Sequence, residues 1–251
     1  MPLPKIDLPI FDLKLVSIPE PVKFRPFLVK EEKLLLMALQ TSKEEDILKA
    51  IKQVVNNCLV SEISIESLPI FDIEYLFLNI RARSVGEKVE NYFVCRNVVG
   101  KRVTEDGTEE DEVCMHMMPV EVNILDIKPP VDNVPSRIYV TKNVGVQMKF
   151  PTLSNYKSIN ELTLSENANE IFDIVYDCCE YVFDEKEVYY TKESSKEEFF
   201  TFIESLTQEQ FDKITGFFEQ LPTISHDVKH SCQKCGYNHD LHLEGLSDFF
   251  T

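Results

Sequence analysis

An α+β fold, a helical core carrying antiparallel β-hairpins, is what three features of the 251-residue sequence predict. A broad amphipathic helix signal fills Leu68 to Glu87, and hydrophobic alternation with a period of two follows at Val89 to Cys95 and again at Val120 to Ile124. A Cys-x-x-Cys-Gly turn, Cys232 to Gly236, stands between two strand-like segments in the manner of a zinc knuckle. The expected organisation is an extended N-terminal arm over 1–29, a helical core with a cysteine-bearing hairpin over 30–130, and a strand pair, helices and the C-terminal hairpin over 131–251.

The arm carries six prolines between short apolar runs, so it reads as extended chain wrapped on a surface, its own domain's or a neighbour's. Glu31 to Gln40 reads as a helix. Ser42 with Glu45 forms a capping box that opens a second helix through Asn57, with Ile47, Ile51, Val54 and Val55 inward. The pentapeptide Leu-Pro-Ile-Phe-Asp occurs at residue 8 and again at residue 68, but its flanks diverge at once and it is no structural repeat.

In the central stretch Pro69 suits a first helical turn and Ser67 an N-cap. Ile70, Ile73, Phe77 and Ile80 form an apolar stripe widened by Phe71 and Leu76, while Asp72, Glu74, Asn79 and Arg83 fall on the other side. Arg81 and Arg83 complement the negative helix end, and Gly86 reverses the chain. Two antiparallel strands follow, separated by Thr104 to Glu112, whose six carboxylates are too crowded to bury and predict a solvated loop.

After Pro129, Pro130 and Pro135, Ser136 to Lys142 and Val146 to Phe150 read as a strand pair turning at Asn143 to Gly145. Asn167 to Phe183 reads as one helix, and Ser195 with Glu198 and Thr207 with Gln210 are capping boxes for two more. Phe199, Phe200, Phe202, Phe211, Phe217 and Phe218 recur at helical spacing and are expected to be core. The closing Phe249 and Phe250 are costly to leave in water, so they are expected either to attach to a partner or to fold back on their own domain.

The run Leu-Phe-Leu-x-Ile-Arg-Ala-x-Ser-Val-Gly-Glu from Leu76, followed by a cysteine-bearing hairpin, resembles the T4-type bacteriophage baseplate hub proteins. Leu8 to Phe11, the stretch Pro26 to Leu36 and the closing Gly245-Leu246-x-Asp248-Phe249-Phe250 share in the resemblance, which is strongest between residues 8 and 130. It implies a structural or assembly role in a contractile tail, contact with other baseplate or hub proteins, and the virion tail baseplate as the destination. No catalytic residues come with it.

Composition fits that picture. With 43% hydrophobic and 27% charged residues the chain is an ordinary globular one, and a formal charge of −17 with no basic patch argues against nucleic acid as a partner. No apolar run is long enough to span a membrane and the opening has no signal-peptide pattern, so the host cytoplasm is the expected place during assembly. A homo-oligomer is compatible with all of this. No phosphate-binding glycine loop, nucleophile elbow or His-Glu-x-x-His pattern occurs, and no enzyme activity is expected.

Seven cysteines without an export signal fit reduced thiols or metal ligands, and Cys58, Cys178 and Cys179 lie in apolar helical stretches where core packing accounts for them. Cys232 and Cys235 supply two of the four ligands of a closed structural zinc site. The others come either from His230, His239 and His242 within the same hairpin or from Cys95 with Cys114 and His116 at the facing ends of the first strand pair. In that first pair the position of a second knuckle cysteine is held by Val98, which leaves a complete site there in doubt, and a metal-free hairpin that keeps its thiols by packing is the preferred reading of Cys95, Cys114 and His116. A redox role for Cys232 and Cys235 would call for a helix N-terminus, and both flanks read as strand. Read without the resemblance, the hairpin suits a zinc-binding adaptor or regulator unrelated to virions.

Overall fold

A computed structural model describes residues 7–41, 43–103, 108–130, 134–153 and 168–249. The chain divides into two compact units, the first made of residues 1–62, 74–130 and 223–251 and the second of 63–73 and 131–222. The C-terminal hairpin, which the sequence places after residue 130, thus groups with the first unit.

In the first unit the proline-rich arm forms a hairpin, β1 (Phe11–Leu13) with β2 (Val22–Phe24), in the register Phe11 opposite Phe24. Leu15, Val22 and Phe24 are at most 2% exposed, so the arm packs on its own unit, and the Arg25 N–H donates to the Cys58 carbonyl to hold it. Helix α1 (Val29–Thr41) follows. Its Glu31 side chain is fully buried, accepts the Leu28 N–H at 2.8 Å and pairs with the Arg25 guanidinium at 3.2 Å. Helix α2 (Glu44–Cys58) begins after Lys43, which makes no side-chain cap bond, and the expected capping residue Ser42 lies outside the described residues.

Helix α3 (Ile70–Ser84) is the buried helix that its sequence predicts, with Ile73, Leu76, Phe77, Leu78 and Ile80 at 0–1% exposure. A helix apolar nearly all round belongs inside. Two local expectations fail. Ser67 closes a short 3-10 turn, where its hydroxyl donates to the Ser64 carbonyl instead of capping α3, and Asp72 is buried although the helical wheel puts it on the polar side.

Strands β3 (Lys88–Val94) and β6 (Met117–Asn123) then pair, with Lys88 opposite Asn123 and Val94 opposite Met117. Between them the expected loop is itself a ribbon, β4 (Val98–Val103) with β5 (Glu109–Val113). Acidic residues are tolerated in β5 because both ribbon faces meet water, and Lys101 and Arg102 pair across it with Glu109 and Glu110. Residues 104–107, which belong to the expected loop, lie outside the described residues.

In the second unit a four-stranded antiparallel sheet runs in the order β10-β9-β8-β7, from β7 (Arg137–Tyr139), β8 (Gly145–Met148), β9 (Cys179–Phe183) and β10 (Val188–Tyr190). Gly145 is required there, since a Cβ would stand 2.3 Å from the Ile138 carbonyl oxygen. Helix α4 (Ala168–Cys178) is shorter than expected, because Cys179 to Phe183 leave the helix to pair with β8 and β10. Helices α5 (Lys196–Glu204) and α6 (Gln208–Glu219) carry both expected capping boxes. Their phenylalanines are core as expected: Phe199 and Phe217 are buried, and Phe200 and Phe211 set their edges against Phe172.

Candidate metal centre

The C-terminal hairpin of the first unit pairs β11 (Ser225–Ser231) with β12 (Asn238–Glu244) in the register His230 opposite His239. Its turn holds Cys232 and Cys235, and Gly236 takes the positive φ of 74° that brings the chain back. The Gly236 N–H donates to the Cys232 carbonyl, while the N–H groups of Lys234 and Cys235 point at the Cys232 sulfur. Amide donors aimed at sulfur are what a thiolate ligand needs.

Cys95 and Cys114 occupy the junction where the β3–β6 pair gives way to the β4–β5 ribbon. The Cys95 N–H donates to the His116 carbonyl, the Met115 N–H to Cys95 and the Cys114 N–H to Asn97, so the two thiols are fixed side by side. Met115 adopts φ 53°, a conformation that costs a non-glycine residue about 1–2 kcal/mol and that turns the chain just after Cys114. As in the knuckle, the sulfurs receive amide N–H groups two residues on, Asn97 to Cys95 and His116 to Cys114.

The four sulfurs of Cys95, Cys114, Cys232 and Cys235 lie within 4.8 Å of one another. Cys95 and Cys235 are 3.6 Å apart and Cys114 and Cys232 are 3.8 Å apart. A disulfide would need about 2.05 Å. Zinc–sulfur bonds of about 2.3 Å put the sulfurs of a tetrahedral site about 3.8 Å from each other, close to the spacing of these two pairs. The donor set therefore fits a divalent ion that favours thiolates. A pocket of about 530 Å³ between Asn97, Val98, Cys114, Lys234 and Cys235 gives access from solvent.

Without a cation the pKa values of Cys95, Cys114 and Cys232 are driven apart. Burial pushes the Cys95 thiol up to about 12, a shift to which the neighbouring cysteines add, and burial raises Cys114 as well. Burial works against Cys232 too, but there the N–H groups of Cys235 and Lys234, together with the thiols of Cys235 and Cys95, outweigh it and bring it down to about 6. One thiolate is thus stabilised among three sulfurs, and a +2 ion would make all four favourable.

Of the two ligand sets the sequence leaves open, the structure brings together the four cysteines and no histidine among them. His239 stands next to the group, its Nε2 3.1 Å from the Cys95 sulfur. His242 is exposed and engaged with Asp227 at 2.7 Å, which raises its pKa. The Nε2 atoms of His230 and His116 are buried with no hydrogen-bond partner among the described residues. Cys58, Cys178 and Cys179 are fully buried core residues, with burial pushing the last two up to about 12.

A family model described as "T4 bacteriophage base plate protein" matches residues 8–251. No curated protein and no solved structure matches in the two corresponding comparisons.

Proposed function

The chain belongs to the T4 bacteriophage base plate protein family, and from that premise we propose that it is a component or assembly factor of the baseplate hub, working through protein–protein contacts and stapled by a structural zinc ion on Cys95, Cys114, Cys232 and Cys235. A structural role in a phage baseplate, with other phage proteins as partners, follows from the family itself. Membership also favours a structural protein over an enzyme. No helix among the described residues is long and apolar enough to cross a membrane.

The observation that carries the reading is the extent of the family match, residues 8–251. Support for zinc comes from four sulfurs within 4.8 Å of one another, two pairs of them at 3.6 and 3.8 Å, each with an amide or side-chain donor. Assembly in the host cytoplasm and self-association belong to the same proposal. The test is to tag the chain in an infected host and fractionate hub intermediates and finished tails. Recovery with hub intermediates is expected, and absence from both would overturn the hub assignment. Elemental analysis of protein purified without added metal should give about one zinc per chain, and a value well under half would remove the ion.

A further inference from the structure

The sequence leaves His239 and Cys95 as rivals for the same coordination position, and the structure separates their roles. The His239 Nε2 lies 3.1 Å from the Cys95 sulfur, a hydrogen-bond distance, while the sulfurs that gather within 4.8 Å of one another are the four of the cysteines. Its ring is held in turn by the edge of Tyr237, with centroids 4.8 Å apart. Asn97 Nδ2 approaches the Cys235 sulfur at 3.7 Å, and the Lys234 ammonium rests on the Cys114 carbonyl at 3.1 Å. Four thiolates around a +2 ion leave a net charge of −2 where three of the cysteines are buried, so neutral donors and a nearby cation are needed around the sulfurs.

Resting on the zinc reading, we propose that His239 is a positioning residue of the metal centre: its Nε2–H donates to the Cys95 sulfur and holds that sulfur in the tetrahedron, so that Cys95 and not the imidazole is the fourth ligand. The assignment fits the backbone. His239 sits on β12, on the face it shares with Leu241 and Leu243, whereas Cys95 directly follows β3, so the contact joins the two hairpins independently of the ion. An outer donor of this kind orients a ligand and raises affinity about 10–100-fold.

Cobalt(II) is the probe, because its thiolate-to-metal absorption grows with the number of sulfurs bound. Wild-type protein should take up one cobalt with the intensity of four thiolates. His239→Ala should lose about a quarter of that intensity as Cys95 leaves, with affinity down about 10–100-fold. His239→Gln, whose side-chain amide can donate without being an imidazole ligand, should restore both. If His239→Ala does not fold, His239→Gln decides alone, and a four-thiolate band at wild-type affinity upholds the assignment. A three-thiolate spectrum in the wild type, an unchanged spectrum and affinity in His239→Ala, or a failure of His239→Gln to hold four thiolates would each overturn it. Wild-type protein that binds neither cobalt nor zinc would overturn the metal reading itself.

Discussion

On the zinc reading, stripping the ion should weaken the whole first unit and not the C-terminal hairpin alone, because the sulfur pairs it would join are 118 and 140 residues apart in sequence. A ligand bound only by the folded state stabilises it by RT ln(1 + [L]/Kd), about 2.7 kcal/mol at a hundred times Kd. For a unit of roughly 150 residues, 1 kcal/mol corresponds to about 2–4 °C in melting temperature, so chelation should lower it by about 5–11 °C. The assay is thermal melting by circular dichroism with and without a strong chelator, repeated on Cys232→Ser and Cys95→Ser. Both variants should melt low already and respond little to chelator, since each removes a ligand from one of the two hairpins. A chelator-induced shift that survives in Cys95→Ser would mean that the ligands are local to β11 and β12, as the histidine set would have it. No shift in the wild type would mean that the sulfur cluster holds no ion of consequence to folding.

Other substitutions test the surrounding fold. Phe249 is fully buried, so Phe249→Ala should cost about 3–5 kcal/mol in urea unfolding, and a cost below about 1 kcal/mol would show the C-terminus free to engage a partner instead. Burial opposes the charge of Glu31, but the Leu28 N–H and the Arg25 guanidinium outweigh it and hold the carboxyl below its ordinary 4.5. That contribution is therefore present above pH 4.5 and lost as pH falls through the lower folded-state value, and Glu31→Gln should flatten this acid limb of the stability curve. Gly145→Ala drives a Cβ to 2.3 Å from the Ile138 carbonyl and should destabilise the second unit by about 1–3 kcal/mol, measurable as a lower denaturation midpoint. Ser195→Ala removes the acceptor of the Glu198 N–H and should cost about 1 kcal/mol by the same measurement.

What could be read from the sequence was what is decided locally. The two capping boxes, Ser195 with Glu198 and Thr207 with Gln210, are four-residue patterns whose partners lie within one turn, and both form. The α3 stripe and the Cys232 to Gly236 knuckle are likewise short-range. Cys179 to Phe183 read as helix because five residues mixing aromatic and β-branched side chains do not fix a period, and pairing with β8 and β10 decided the matter. The site was half legible. The strand pattern places Cys95 and Cys114 at the facing ends of the first strand pair, but Val98, standing where a second knuckle cysteine would, leaves the choice between them and the histidines open, because the two thiols are split, one at each end of the β4–β5 insertion. Glu31 gave no such sign, since a glutamate in a first helical turn is ordinarily solvated.

The β4–β5 insertion separates reach from anchorage. Cys95 and Cys114 are pinned at the base of the β4–β5 ribbon by backbone bonds to Asn97, Met115 and His116, so the position of the two sulfurs is set at the base and not along the ribbon. The ribbon is therefore a stalk of adjustable height on a fixed footing, free to lengthen, shorten or change its charge to suit a neighbour while the four-cysteine cluster beneath keeps its dimensions. A protein that must fit into a crowded assembly gains from such an arrangement a place where sequence can drift with its surroundings at no cost to its own folding.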